Sequence, residues 1–343
     1  MSDTIKLGVY GSQNWIKENL LKAIEEKNLQ ETLQPHFFGT ELNHETVPLS
    51  QGCKAIAIFI NDDAGAEVVN RLHEYGVQLI LCMSAGFNMV NLEAAKNQGI
   101  TVARVPTYSP NAVAEYAVGM LLSLVRKIHK ASYRTRECNF NIEGLMGMDL
   151  HGKTVGVLGT GNIGAWFCRI MNGMGCRVTA YDVVHNPDLQ SFVEYKDLNE
   201  VLSESHVVAL FLPLFPSTYH IINKDNIFNI RKGAYLVNVS RGGLIETEAL
   251  IKALKAGHFC GVALDVYEQE DTIFYKDMSE KGVIDDSIIR LISRPNVIVS
   301  SHMAFFTKEA VSNICASTLD SLTQFLGGET VQNAIELEQV LQK

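Results

Sequence analysis

The chain has 343 residues, 29 Lys+Arg against 38 Asp+Glu, a formal net charge of −9 and 47% hydrophobic residues. At about 100–200 residues per domain the length implies two domains, each able to bury its own core. A charged fraction of 20% with aliphatic residues spread throughout excludes a disordered or collagen-like chain, and an acidic balance without a long basic stretch argues against a nucleic-acid or anionic-membrane surface.

Taken in chain order, short β-branched or aliphatic runs predict strands at 5–10, 35–38, 54–60, 77–82, 100–105, 154–158, 177–181, 207–212, 234–239, 261–265 and 296–300. Helix-period segments lie between most of them, among them 15–27, 66–75, 92–98 and 246–256. Alternating strands and helices, with strands that are nearly continuous apolar runs, predict an α/β fold with parallel sheets covered on both faces. The longest predicted helix, 111–133, follows Tyr108-Ser109-Pro110 and is apolar around much of its circumference. Such a helix packs between two domains or against a second subunit. Segment 267–295 carries no strand pattern, although 287–292 could form a short helix; a loop of that length in a compact domain is usually functional or mobile.

No run of about 18 apolar residues exists to span a bilayer. The opening residues lack the basic-then-apolar pattern of a secretory signal. The seven cysteines (Cys53, Cys82, Cys138, Cys168, Cys176, Cys260, Cys315) are scattered, odd in number and never spaced C-x-x-C. They read as small buried hydrophobes, not disulfides or zinc ligands, so no metal site is expected and a reducing, cytoplasmic location is.

A dinucleotide fingerprint follows the strand at 154–158: Gly159-Thr160-Gly161-Asn162-Ile163-Gly164, then a helical segment, then a strand ending at Asp182, 18 residues after Gly164. Gly159 allows the tight turn, Gly161 lets backbone approach a pyrophosphate, and Gly164 lets helix pack close to strand. The helix N-terminus offers free N–H groups and its positive dipole end to the phosphates. Asp182 can accept the adenosine ribose hydroxyls and repel a 2′-phosphate. Strand, glycines, helix, strand and acid in that order are the context the motif requires. The expected cofactor is NAD, since Val183-Val184-His185 offer no Arg or Lys to a phosphate, although His185 could hydrogen-bond one. Pro213 and Val239, at the ends of the 207–212 and 234–239 strands, complete the expected cofactor contacts.

Three titratable or charged residues stand at or near strand ends: Arg241 in Val239-Ser240-Arg241-Gly242-Gly243, Glu270 just past 261–265, and His302 in Ser300-Ser301-His302. In an open parallel sheet ligands bind outside the carboxyl ends of the strands, so all three could converge on one crevice. Reducing a 2-oxo acid needs a cation for the carboxylate, a proton donor for the ketone oxygen and a hydride. Arg241 can hold a carboxylate bidentately, His302 can exchange the proton near neutral pH, and Glu270 can orient the imidazole and favour its protonated form. Singly, each has a plainer reading: a turn histidine, a solvated loop arginine, one member of the acidic run Glu268-Gln269-Glu270-Asp271. Their shared placement relative to the dinucleotide site is what argues for catalysis.

Through Ser84-Ala85-Gly86-Phe87-Asn88, Val105-Pro106-Thr107-Tyr108-Ser109-Pro110, the glycine fingerprint, 237–243, 264–270, Arg294-Pro295-Asn296-Val297 and His302-Met303-Ala304-Phe305-Phe306-Thr307, the chain resembles the D-2-hydroxyacid dehydrogenases over nearly its whole length. The fermentative D-lactate dehydrogenases are the most similar branch. The resemblance implies that Arg241, Glu270 and His302 are the catalytic trio, and that backbone around Ala85 and Gly86, with Tyr108, binds the substrate carboxylate. It implies Phe305, and more weakly Phe59, on the methyl side of the pocket, and Asp265 near the nicotinamide. It also implies a homodimer through the 111–133 helix and domain movement during closure over substrate. The expected architecture is a doubly wound Rossmann domain, 106–302, inserted into a discontinuous flavodoxin-like substrate domain, 1–105 and 303–343.

Two departures from the fermentative pattern stand out. Met83 replaces an Arg, and Leu210-Phe211-Leu212-Pro213-Leu214-Phe215 replaces Leu-His-x-Pro-Leu-Thr, which removes polar groups expected near substrate and cofactor. The expected reaction is pyruvate plus NADH to D-lactate plus NAD. A reductase for glyoxylate, hydroxypyruvate or a bulkier 2-oxo acid is the alternative within the class. An NAD(H)-sensing, corepressor-like binding protein is the alternative from another class.

Overall fold

Apolar runs without alternation fold here as parallel strands buried on both faces, the pattern that a sheet covered by helices on each side requires. The structure, a computed structural model, describes residues 4–337. It divides into two compact units, one formed by Met1–Ser109 with Phe306–Lys343 and the other by Pro110–Phe305.

The first unit contains β1 (Ile5–Val9), α1 (Asn14–Glu26), β2 (Leu33–Phe37), β3 (Ala55–Ile58), α2 (Ala66–Glu74), β4 (Leu79–Cys82), α3 (Leu92–Asn97) and β5 (Thr101–Arg104). Its sheet runs β2-β1-β3-β4-β5 with every pair parallel, the doubly wound order of the flavodoxin type. Every residue of β3 and β4 is buried, and Ile56, Ile58, Leu72 and Ile80 share one hydrophobic cluster.

The second unit contains α4 (Pro110–Val125), α5 (Ile128–Arg136), β6 (Thr154–Leu158), α6 (Asn162–Gly173), β7 (Arg177–Tyr181), β8 (Val193–Tyr195), α7 (Leu198–Glu204), β9 (Val207–Leu210), β10 (Tyr235–Asn238), α8 (Thr247–Lys255), β11 (Gly261–Leu264), α9 (Asp286–Ile292) and β12 (Val297–Val299). Its sheet runs β12-β11-β10-β9-β6-β7-β8, again all parallel. Reading outward from β6, this is the Rossmann order with one strand added beyond β11. The order reverses beside β6, so the switch point falls at the glycine fingerprint. The chain then returns to the first unit as α10 (Lys308–Leu326), which packs on α1 and β4. Beyond it Asn333 and Ile335 hydrogen-bond along β5.

Three expectations need correction. The predicted 111–133 helix is two helices, because Lys127 adopts φ +54° and ends α4. Returning chain packs closely at this break: a Cβ at Gly147 would lie 2.5 Å from the Val125 carbonyl oxygen. The apolar circumference of α4 is also explained within its own unit. Ala112, Val113, Ala117, Leu121 and Leu124 are buried, and the helix lies against α6, β10, β11 and β12. Finally, β8 escaped the sequence pattern, since a three-residue Val-Glu-Tyr edge strand paired only to β7 is too short for a period to register. Among the described residues no helix is long and apolar enough to cross a membrane.

Candidate active site

The turn from β6 into α6 accounts for its glycines by contact. Gly159 has φ +96°, and a Cβ there would meet the Leu212 amide nitrogen at 2.8 Å. A Cβ at Gly164 would lie 2.0 Å from the Gly159 carbonyl oxygen, so α6 seats directly on the turn. At Gly161, the residue preceding α6, a Cβ would meet nothing within 4 Å. The open face of the turn therefore lies where a pyrophosphate approaches a helix N-terminus, and the residues present fit a dinucleotide.

Asp182 stands at the end of β7 as expected. One of its oxygens accepts the Thr160 amide (2.6 Å) and hydroxyl (3.1 Å), and the other accepts the Val184 amide (3.1 Å). The Tyr195 hydroxyl donates to Thr160 Oγ1 at 3.0 Å, so β8 braces this corner. His185 stacks on the Tyr195 ring at 4.1 Å between centroids. Among the other expected cofactor residues, Pro213 is exposed and Val239 is buried, which leaves Val239 only its backbone to offer a ligand. Phe211 packs on Phe167 of α6, ring centroids 4.9 Å apart. The ring that stands where the fermentative pattern has His thus helps to seat α6.

The three expected catalytic residues lie on the carboxyl edge of one sheet. Arg241 follows β10, Glu270 lies beyond β11 and His302 beyond β12. His302 Nδ1 and Glu270 Oε1 are 2.6 Å apart, with both side chains about 15% exposed. The second Glu270 oxygen accepts the Tyr267 amide at 2.8 Å, which fixes the carboxylate plane. The Arg241 guanidinium donates to the Ser240 carbonyl (2.8 Å), while the Arg241 carbonyl accepts Asn238 Nδ2 (2.8 Å). A Cβ at Gly242 would lie 2.1 Å from the Tyr267 carbonyl carbon, so the Arg241 turn rests directly on the chain that leads to Glu270.

His302 has φ +51°, a left-handed conformation held from several sides. Its N–H donates to the Asp265 carbonyl at 2.6 Å, and its carbonyl accepts the Tyr275 hydroxyl at 2.6 Å. Asp265 is fully buried. Its carboxylate accepts Ser300 Oγ (2.6 Å), the Met303 amide (3.0 Å) and the Ala304 amide (2.8 Å). Burial pushes this carboxyl above the usual carboxylate range, against those donors. Asp265 thus builds the turn that carries His302 and presents no exposed surface of its own. Phe305, at the end of that turn, is also buried.

The remaining candidates belong to the other unit. The Ala85 carbonyl accepts Arg104 at 2.9 Å, and the Gly86 carbonyl accepts the Ser84 hydroxyl at 2.7 Å. Met83 is buried, so this departure puts a thioether into the core beneath the loop. The Tyr108 carbonyl accepts Asn313 Nδ2 at 2.6 Å. The Phe59 amide donates to Asp62 at 2.5 Å, and its ring meets Trp15 edge-on at 5.9 Å.

Sequence reasoning missed Arg104, Asp62, Trp15 and Tyr275. A lone arginine closing the apolar 100–105 run was a usable signal for Arg104, whose guanidinium also lies 5.4 Å from the Phe87 ring centroid. Nothing local distinguishes buried Asp62 from its neighbour Asp63, or marks Tyr275 inside a patternless loop.

Two parallel sheets, the second carrying a glycine turn at its switch point and an Arg, Glu and His at its carboxyl edge, define an NAD-dependent dehydrogenase. The family model for the NAD binding domain of D-isomer specific 2-hydroxyacid dehydrogenases matches residues 118–304. The chain is 44% identical to 2-hydroxyacid dehydrogenase A of Aspergillus oryzae, covering 97% of this chain and 96% of that one. It is 41% identical to the D-lactate dehydrogenase of Escherichia coli (strain K12), covering 96% and 100%. Among solved structures, the pyruvate reductase of Chlamydomonas reinhardtii superposes with a TM-score of 0.89 at 38% identity, covering 96% and 98%. The chain belongs to the D-2-hydroxyacid dehydrogenase family. It is an oxidoreductase that uses NAD and a 2-oxo or 2-hydroxy acid.

Proposed function

We propose that this enzyme reduces pyruvate to D-lactate with NADH, using His302 as the general acid, Glu270 as its partner and Arg241 as the carboxylate anchor. The observation that carries this reading is the 2.6 Å contact between His302 Nδ1 and Glu270 Oε1 on the sheet edge that also carries Arg241. With Nδ1 engaged, Nε2 is the nitrogen left to exchange a proton with the ketone oxygen. The planar fork of Arg241 matches a carboxylate and draws electron density from the adjacent carbonyl. NADH supplies the hydride that C2 of the ketone receives. As negative charge grows on the oxygen, His302 delivers its proton there; Glu270 stabilises the imidazolium before transfer, and solvent reprotonates the ring afterwards. Oxidation of the 2-hydroxy acid runs the same steps backwards.

Support for pyruvate comes from the relatives named for D-lactate and pyruvate and from the aromatic side chains Phe59, Tyr108 and Phe305, which suit a small methyl group. Ala85, Gly86 and Tyr108 are assigned to the substrate carboxylate, the Pro110–Phe305 unit to NAD and the other unit to substrate. All seven cysteines are free thiols, five of them buried as expected while Cys138 and Cys260 are exposed, a correction to their reading as buried hydrophobes; unpaired thiols accord with a cytoplasmic location.

The protein is further proposed to be a homodimer through the segment that begins at α5. That helix buries no residue, and Tyr133 (67%), Phe140 (75%), Ile142 (81%) and Met146 (88%) stand exposed along it and the chain beyond. Apolar side chains concentrated in this way mark an interface.

The deciding experiment follows NADH oxidation across a panel of 2-oxo acids, with chiral analysis of the product. The highest kcat/KM with pyruvate and a D-lactate product are expected. A higher kcat/KM for glyoxylate, hydroxypyruvate or a branched 2-oxo acid overturns the substrate assignment, and NADH binding without any turnover would indicate the sensor role instead.

A further inference from the structure

Tyr275 and His302 both occupy the left-handed region, at φ +64° and +51°, and they are joined by a hydrogen bond from the Tyr275 hydroxyl to the His302 carbonyl at 2.6 Å. An aromatic residue seldom adopts this conformation, which persists only where the surroundings hold it. Those surroundings are present. Phe274 is buried in the core of its unit and Tyr275 packs against the same cluster. The Ile273 and Phe274 amides donate to the Glu270 carbonyl at 3.0 and 2.8 Å, so the path from Glu270 to Tyr275 is one short hydrogen-bonded turn. That turn reaches His302 twice, at the imidazole through the Glu270 carboxylate and at the backbone through the Tyr275 hydroxyl.

A residue's side chain is aimed by its own φ and ψ. At His302 the N–H is pinned by the Asp265 carbonyl and the imidazole by Glu270, but β12 ended at Val299 and no sheet neighbour takes the His302 carbonyl. The Tyr275 hydroxyl takes it. The other edge of the same peptide is held by the Asp265 carboxylate, which accepts the Met303 amide at 3.0 Å; without the Tyr275 donor that bond alone is left to fix the His302–Met303 peptide, which loosens the turn that carries the imidazole.

We propose that Tyr275 is a positioning residue for proton transfer: its hydroxyl holds the backbone of His302 in the left-handed conformation that keeps the imidazole aligned on Glu270. The proposal rests on the reading of His302 as general acid. A phenylalanine at 275 keeps the ring and its packing but removes the donor. An asparagine tolerates the left-handed backbone better than tyrosine and also removes the donor, which separates strain from the hydrogen bond.

The test measures kcat, both KM values and thermal stability for the full-length Tyr275→Phe and Tyr275→Asn variants, with His302→Ala alongside. Tyr275→Phe is expected to lower kcat about tenfold with the KM for NADH unchanged, and to raise the kinetic isotope effect with NADH deuterated at the transferred position, because the chemical step becomes limiting. Tyr275→Asn should show the same loss of kcat, with a melting temperature lowered by the ring packing it also removes. Parental kcat in either variant overturns the positioning role, as does a loss of NADH affinity in step with kcat. If His302→Ala is inactive while Tyr275→Phe is not, the positioning role alone fails; if His302→Ala turns over normally, the reading of His302 fails.

Discussion

The Asp265 carboxylate accepts the Ala304 amide at 2.8 Å, spanning the turn that carries His302. One fully buried side chain thus gathers Ser300, Met303 and Ala304, with His302 between them held through the Asp265 carbonyl. The turn that carries His302 is set by an acid that the solvent does not reach.

Asp265→Asn should therefore act on the turn. The carboxamide keeps one acceptor but turns an NH2 group toward a backbone or hydroxyl donor, leaving one buried group without a partner, at a cost of about 1–3 kcal/mol. The expected result is a lower melting temperature together with a kcat reduced at least tenfold. Unchanged melting with unchanged kcat would show that the turn holds without this charge.

Arg241→Lys should fail as a conservative change. A lysine offers a point charge where a planar fork is needed, and it has no second arm to donate to the Ser240 carbonyl. The expected outcome is a KM for the 2-oxo acid raised by roughly a hundredfold, with NADH affinity measured by fluorescence titration unaltered. A KM within threefold of the parent would remove Arg241 from the carboxylate site.

The glycines of the fingerprint should separate by their contacts. Gly164→Ala places a Cβ 2.0 Å from a backbone carbonyl, so loss of folded protein is expected, readable as poor recovery and a depressed melting temperature. Gly161→Ala has no neighbour to strike within 4 Å. It should fold normally and weaken NADH binding alone, because the new methyl occupies the face open to the pyrophosphate. Equal effects from the two substitutions would contradict this division.

Asp62 offers a test by pH. It is buried, it accepts the Leu42 and Phe59 amides at 2.5 Å each, and burial pushes its carboxyl up to about 7. A carboxyl whose folded pKa lies above its unfolded value binds the proton more tightly in the folded state. Its contribution to stability is therefore full below about pH 4 and is lost as pH rises to about 7. Asp62→Asn cannot titrate, so the difference in melting temperature between parent and variant should shrink across that window and stay constant above it. A difference that is flat from pH 4 to 8 would show that the two amide donors hold Asp62 ionised throughout.

How much of this was legible beforehand follows from the range of the interactions involved. Parallel sheets were readable because unbroken apolar runs suit strands buried on both faces, and the glycine fingerprint because its spacing between a strand and a helix is a local pattern. Arg241, Glu270 and His302 were readable as strand-end residues, since sheet topology brings the carboxyl ends of β10, β11 and β12 together whatever the details. The break at Lys127 was not, and the chain packed closely beside it, at Gly147, comes from twenty residues further along. Nor was the fate of Phe211, which depends on a partner in another helix.

Taken alone, then, the amino-acid sequence determined the fold class, the cofactor and the identity of the candidate catalytic groups, all of which depend on local pattern and residue chemistry. Only the tertiary structure decided how His302 is aimed. That geometry comes from the Asp265 carbonyl, the Glu270 carboxylate and the Tyr275 hydroxyl, which reach it from 37, 32 and 27 positions away in sequence. No periodicity or spacing encodes such a convergence, because it exists only once the sheet has stacked its strand ends side by side.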